Sequence, residues 1–348
     1  MKNKLTIGLT SGLLIALLLS ACQPEPRSLT VLTHDSFAIS EEVIRQFEEE
    51  NDVEVNFVLS GDTGSSLNKM ILTKDAPLGD ILYGVDNSFL SRALEEDIFA
   101  AYDSPVLAEV PEEFKLDVEN RALPIDYGDI CINYDKAYFT ENSLAVPEDL
   151  DDLLKPEYEG LLVVENPAVS SPGLSFLFAT IHQYGEDGYL DYWQALKENG
   201  VVIVNDWETA YYSNFSASSG MGPQPMVVSY ATSPAAEVIF ATDERDESPT
   251  ASIVGDGACY RQIEFAGILK NSKNRELAEK FLDYMLSVTF QEDIPMNMFV
   301  LPVNSNAQLP EEFVKYIQTP ENPAMLPAET IAQMRDAWVN AWQEAILE

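Results

Sequence analysis

The chain has 348 residues, 46% of them apolar, and its 58 acidic against 20 basic side chains give a net charge of −38. That length suits two lobes of roughly 100–200 residues, each with its own core. The charge excludes nucleic acid as a natural partner, which needs a basic surface; it fits either steering of a cationic ligand or a solubility adaptation.

The first residues differ from the rest. Lys2 and Lys4 precede an apolar stretch, 5–19, that ends in Leu19-Ser20-Ala21-Cys22. This is the pattern of a secretory signal, too short and wrongly flanked for a stable membrane span. Small residues before a cysteine resemble a bacterial lipobox. That likeness implies a lipoprotein signal peptide at 1–21, a lipid on Cys22, a tether at 22–28, and a protein anchored to the outer face of the cell membrane. Cys131 and Cys259 then remain in an exported chain, where a disulfide can persist. Sequence does not give the distance between them, and two buried free thiols are the simpler expectation.

Periodicity predicts a strand at 29–33, a helix at 41–51 behind Ser40, a strand at 53–59 and a helix at 65–72. A strand at 80–85 and a helix at 88–95 complete a β-α-β-α-β-α series, the mark of a parallel or mixed α/β sheet. The second half repeats the style. Strands are expected at 161–164, 201–204 and 226–230, and helices at 173–184, 189–198 and 208–215, with loops at 216–225 and 243–249. Two stretches, 123–134 and 259–269, read as connections between lobes, and a helix follows at 275–286. The tail, 327–347, is amphipathic, with Trp338 and Trp342 spaced as packing anchors.

Enzyme signatures are missing. His34 and His182 are the only histidines, and there is no HExxH, GxSxG, P-loop, GxGxxG or CxxC. No cofactor or metal site is expected, and the chain does not read as an enzyme. Polar residues gather instead where strands hand over to helices: 33–36, 60–66, 86–88, 170–173, 205–207 and 230–234. Each Ser, Thr, Asp or Asn there is first a helix cap that needs no ligand; several at corresponding points of two α/β halves favour binding. Ser171-Pro172-Gly173 and Ser233-Pro234 place Pro near the first helical position. Ser233 reads as an N-cap. Trp207 is either a lid over a core or a stacking platform for a flat cation.

At these residues a resemblance emerges. THDSF (33–37), LSGDTGSSLNKM (59–70), GVDN (84–87), PIDYGDICINYDK (124–136), SSPGL (170–174), DWETAY (206–211), SYATSPA (229–235) and IP…LPVN (294–304) resemble the thiamine-binding solute-binding proteins of ABC importers. The likeness spans essentially the whole exported chain. It implies a two-lobed α/β fold of the periplasmic-binding-protein type II class, with mixed sheets in each lobe joined by hinge strands. Lobe one would take 29–125 and 263–300, and lobe two 126–262 and 301–348. It implies a monomer that holds thiamine or a thiamine phosphate in an interlobe cleft and delivers it to a permease. The implied ligand residues are Asp62 and Thr63 in lobe one, and Ser170, Ser171, Trp207, Tyr230, Ala231, Thr232 and Ser233 in lobe two, with His34, Asp126, Tyr127 and Phe299 as further candidates. His34 stands where the family commonly has Tyr, Ala236 replaces another aromatic, and Phe299 replaces a Trp, so the aromatic box is thinned. Alternatives are the same fold binding a polyamine or ferric iron, for which adjacent Tyr211 and Tyr212 are a poor match, and a secreted hydrolase, for which no motif exists.

Overall fold

A computed structural model describes residues 27–61, 63–219, 221–242 and 245–347. The expected signal peptide, Cys22 and Asp62 lie outside the described residues. The first half gives β1 (Ser28–Thr33), α1 (Glu41–Asn51), β2 (Glu54–Leu59), α2 (Thr63–Leu72), β3 (Ile81–Asp86) and α3 (Leu90–Glu95), the alternation that periodicity predicts. A short β4 (Phe99–Ala100) leads to the 13-residue β5 (Leu123–Asp135) and α4 (Lys136–Glu141). Next come β6 (Leu162–Glu165), α5 (Ser171–Glu198), β7 (Val202–Val204), a π-helix (Thr209–Asn214) and α6 (Ser216–Ser219). Then follow β8 (Met226–Tyr230), α7 (Ser233–Ile239), β9 (Thr250–Ile253) and β10 (Tyr260–Leu269). The chain closes with α8 (Arg275–Met285), α9 (Val288–Met298), β11 (Leu301–Pro302), α10 (Glu311–Tyr316) and α11 (Ala328–Ile346).

The strands form one mixed sheet in the order β2-β1-β3-β10-β5-β8-β6-β7, with β4 on β10 and with β9 and β11 on β5. Its two ends are matching parallel blocks, β2-β1-β3 and β8-β6-β7. The long strands β10 and β5 run antiparallel between them and carry the chain from one block to the other. In α/β sheets ligands bind beyond the carboxyl ends of parallel strands, so the crossing region is where the two blocks' strand ends meet.

Local chemistry explains the elements. In α1 Val43 and Phe47 face inward while the glutamates stay in water. Ser170 caps α5 by accepting from the Gly173 amide, and Gly185, at φ 71°, kinks that segment between the two helices predicted separately. The expected helix at 208–215 is a π-helix, and the loop at 216–225 contains α6. Trp338 and Trp342 are buried as packing anchors: Trp342 meets Trp193 edge-on at 5.2 Å, and Trp338 meets Phe178 at 6.0 Å. The same helix places the Arg335 guanidinium 4.2 Å from the Phe89 ring, so α11 touches both halves. Among the described residues no helix is long and apolar enough to cross a membrane.

One expectation is corrected. Cys131 and Cys259 are not free thiols but a disulfide, with their Cα atoms 4.3 Å apart. Strand register is the reason: Tyr260 pairs with Ile130, which sets the two cysteines opposite each other where β5 and β10 cross.

Candidate functional site

Buried polar groups converge where β3, β5 and β10 lie side by side. The register sets Glu264 of β10 opposite both Asp86 of β3 and Asp126 of β5. On each side of Glu264 the pairing slips, and such bulges re-aim side chains. Tyr83 thereby donates its hydroxyl hydrogen to Asp126 and lies 3.1 Å from Glu264 Oε2. His34, just past β1, brings Nε2 to 3.4 Å from the same oxygen, an ion pair without hydrogen-bond alignment. Gly84 makes room for that imidazole: at φ +94° it has no side chain, and a Cβ there would sit 2.4 Å from His34 Cδ2.

The cluster divides its protons. Burial pushes the Asp126 carboxyl well above the ordinary range, and the charge of Glu264 adds to the push. Burial would also raise Glu264, but the His34 charge and hydrogen bonds from its neighbours hold it below its usual value. Burial works against a charged His34, yet Glu264 outweighs it and the imidazole pKa is raised. The shifts run toward an ionised Glu264 beside a charged His34, with Asp126 the carboxyl that favours its proton. Asp86 is raised chiefly by burial, although Ser88 donates to its Oδ1.

The second block contributes Tyr230, whose ring lies over Gly128, where a Cβ would be 2.9 Å from its Cδ1. Its hydroxyl is raised first by burial and then by the charges of Glu264, Asp86, Asp126 and Glu165, carboxyls drawn from four strands. Trp207 donates from Nε1 to Ser229 Oγ at 2.9 Å, and Ser229 in turn contacts Ser233 Oγ at 3.0 Å. One Trp207 face is covered by Tyr211, stacked at 4.9 Å.

The expected site residues separate accordingly. His34, Asp126 and Tyr230 come together around Glu264. Tyr127, the next residue along β5, packs tilted against Phe114 with ring centroids 4.7 Å apart and lies 4.9 Å under Arg261. The Thr63 hydroxyl donates to the Gly84 carbonyl at 2.9 Å, and Thr232 donates to the Phe299 carbonyl. Phe299 ends α9 in the left-handed region at φ 58° and sets its ring edge-on to Phe240. Ala231 packs against the disulfide, with its amide on the Asp129 carbonyl. Ser170 caps α5 and Ser171 opens it. Ser233 is not an N-cap: α7 begins one residue earlier than expected, with Thr232 in that position and no side-chain cap bond.

Sequence reasoning missed Tyr83, Glu165 and Glu264, and took Asp86 only as part of the polar group at 86–88. Tyr83 sits in a strand that read as core, Glu165 closes another, and Glu264 lies in a stretch that read as a connection between lobes. The usable signal was an acidic residue closing an otherwise apolar strand, as in Leu-Val-Val-Glu at 162–165. Several buried side chains near the strand ends and in β5 keep polar atoms without a hydrogen-bond partner among the described residues: Thr33 Oγ1, Asp86 Oδ2, Asp126 Oδ1 and both Glu165 oxygens. Buried orphans of this kind are rare, because each forfeits its hydration for nothing.

A pH dependence follows. Asp86, Asp126 and Glu165 hold their protons in the folded chain at pH values where the unfolded chain, near the ordinary 3.8 or 4.5, has lost them. Stability therefore falls as pH rises above that range. His34 adds in the same sense, since its contribution is lost as pH climbs through a value raised above 6.5. Glu264 opposes only in acid, where its contribution is lost as pH falls below 4.5. Scanning calorimetry of the ligand-free protein is expected to give a higher Tm at about pH 6 than at about pH 8; an equal or lower value contradicts the assignment.

Two parallel blocks are bridged by long antiparallel strands, with unpaired buried polar atoms at the ends of β3 and β6 and within β5. The chain belongs to the family of bacterial extracellular solute-binding proteins, whose model matches residues 76–319. It is 32% identical over 326 residues to the thiamine-binding periplasmic protein of Escherichia coli (strain K12), covering 91% of this chain and 93% of that one. It is 30% identical over 344 residues to the protein of the same name from Brucella suis biovar 1 (strain 1330), covering 97% of each. Among solved structures, a periplasmic thiamin binding protein superposes with a TM-score of 0.77 at 29% identity, over 92% of this chain and 96% of that one. The ferric binding protein from Campylobacter jejuni superposes with a TM-score of 0.75 at 18% identity, over 91% and 99%, a likeness of fold alone. The type II periplasmic-binding-protein fold expected from sequence is the fold observed.

Proposed function

We propose that this protein captures thiamine, outside the cytoplasm, between its two halves and passes it to an ABC permease without chemical change. The observation that carries the proposal is the set of buried, unpaired polar atoms of Asp86, Asp126 and Glu165 ranged around Tyr230. Thiamine supplies what they lack: a flat thiazolium cation and an aminopyrimidine with hydrogen-bond donors. The names of the relatives point the same way. Tyr230 and Trp207 are the stacking surfaces, and His34, Asp126 and Glu264 set the field beneath them. The lobes are those of 29–125 with 263–300 and 126–262 with 301–348, hinged on β5 and β10. A lipid on Cys22 holds a monomer at the membrane.

A tryptophan-fluorescence titration with thiamine, its monophosphate, spermidine and ferric iron tests this. Thiamine is expected to saturate the signal at the lowest concentration. Tighter binding of spermidine or iron would refute the choice of ligand.

A further inference from the structure

We infer that Glu165 recognises the amino-bearing edge of the ligand's pyrimidine ring and so determines specificity; the inference rests on the thiamine reading above. Glu165 is the last residue of β6, paired on one side with Val204 of β7. On the other side Val163 pairs with Val227, so continuing the parallel register two residues brings Glu165 beside Ser229. Alternate residues of a strand share a face. Glu165 thus lies on the face of Val163, which packs with Tyr211 and Trp207. On that register its neighbour on β8 is Ser229, whose hydroxyl receives the Trp207 indole N–H.

This side chain is fully buried, and neither carboxyl oxygen has a hydrogen-bond partner among the described residues. The Ser229 hydroxyl is engaged by Trp207 and Ser233. The first turn of α5 closes the position from behind: a Cβ on Gly173 would lie 2.4 Å from the Glu165 carbonyl oxygen and 3.0 Å from its Cβ. Burial, opposed by its own backbone amide and reinforced by Asp206, raises the carboxyl well above its ordinary range and favours the neutral form. A neutral carboxyl offers one donor beside one acceptor. That pair complements an aminopyrimidine edge, where an amino N–H adjoins a ring nitrogen acceptor. Its place at the carboxyl end of a central parallel strand is where open α/β sheets take ligands.

The test compares thiamine with 4′-deaminothiamine, in which hydrogen replaces the amino group, by calorimetry on the wild type, Glu165→Gln and Glu165→Leu. The wild type is expected to prefer thiamine by at least about tenfold, because losing the donor leaves a buried acceptor unpaired. Glu165→Gln keeps the preference, since an amide presents the same donor and acceptor. Glu165→Leu binds thiamine at least about tenfold more weakly and treats the two compounds alike. A Leu variant that keeps the preference overturns the inference while leaving thiamine as ligand. A wild type that binds both compounds equally overturns it without recourse to a variant. A wild type that binds neither overturns the thiamine reading itself.

Discussion

Removing the Cys131–Cys259 disulfide by Cys131→Ala with Cys259→Ala is expected to lower the unfolding free energy by about 5 kcal/mol. The bond closes a loop of 128 residues, and in the chain-entropy account the restriction of the unfolded state grows with loop length. The folded state changes little when the bond is absent, because the strands stay aligned by other means. Arg261 Nε and Nη2 grip both oxygens of Asp129 at 2.9 and 3.0 Å, and β5 pairs with β10 from Tyr260 to Ala266. The sulfur atoms are buried with Ala231 and Val254, so paired alanines leave only a modest cavity. Denaturant unfolding of the two proteins measures the difference; a change under about 1 kcal/mol contradicts the entropic reading. Because the bond ties the crossing strands at the hinge, the same variant tests whether it also restricts opening, read as a changed thiamine off-rate.

Tyr230→Ala is expected to weaken thiamine binding by about 2–3 kcal/mol, or roughly 30- to 150-fold. Three features make this ring an anchor. It is half-buried at the end of β8, its plane is fixed over Gly128, and carboxyls from β3, β5, β6 and β10 act on its hydroxyl. A flat cation laid on it gains stacking and cation–π attraction in a place where water is scarce. Tyr230→Phe keeps the ring and removes one hydroxyl, so its cost is about 1 kcal/mol or less. Calorimetric dissociation constants for the three proteins decide the matter, and an Ala variant that binds like the wild type removes Tyr230 from the site.

Much of the fold was legible because hydrophobic period is a local property. The run from β1 to α3, the strand Met226–Tyr230 and the tail helix each announce themselves within a dozen residues. The disulfide was not, since the proximity of Cys131 to Cys259 depends on the pairing of strands far apart in sequence. The hydroxyl row at 229–233 shows a second limit. Its spacing fits a helix cap or a ligand, yet Thr232 is spent on the Phe299 carbonyl, and Ser229 and Ser233 on Trp207 and each other. A partner 67 residues away leaves no local trace. Carboxyls failed as a signal for the opposite reason. With 58 acids in the chain, nothing in composition separates Glu165, buried at the end of β6, and Glu264, buried within β10, from the solvated glutamates of α1. Only their embedding in apolar strands does.

The central claim is that the buried carboxyls around Tyr230 form a site for thiamine. Its most direct measurement is an isothermal calorimetric titration of the exported chain with thiamine near neutral pH. The account predicts a single site with a Kd of about 1 μM or tighter, at least about −8 kcal/mol. No binding below about 1 mM, from protein that takes up spermidine or ferric iron tightly, would contradict it.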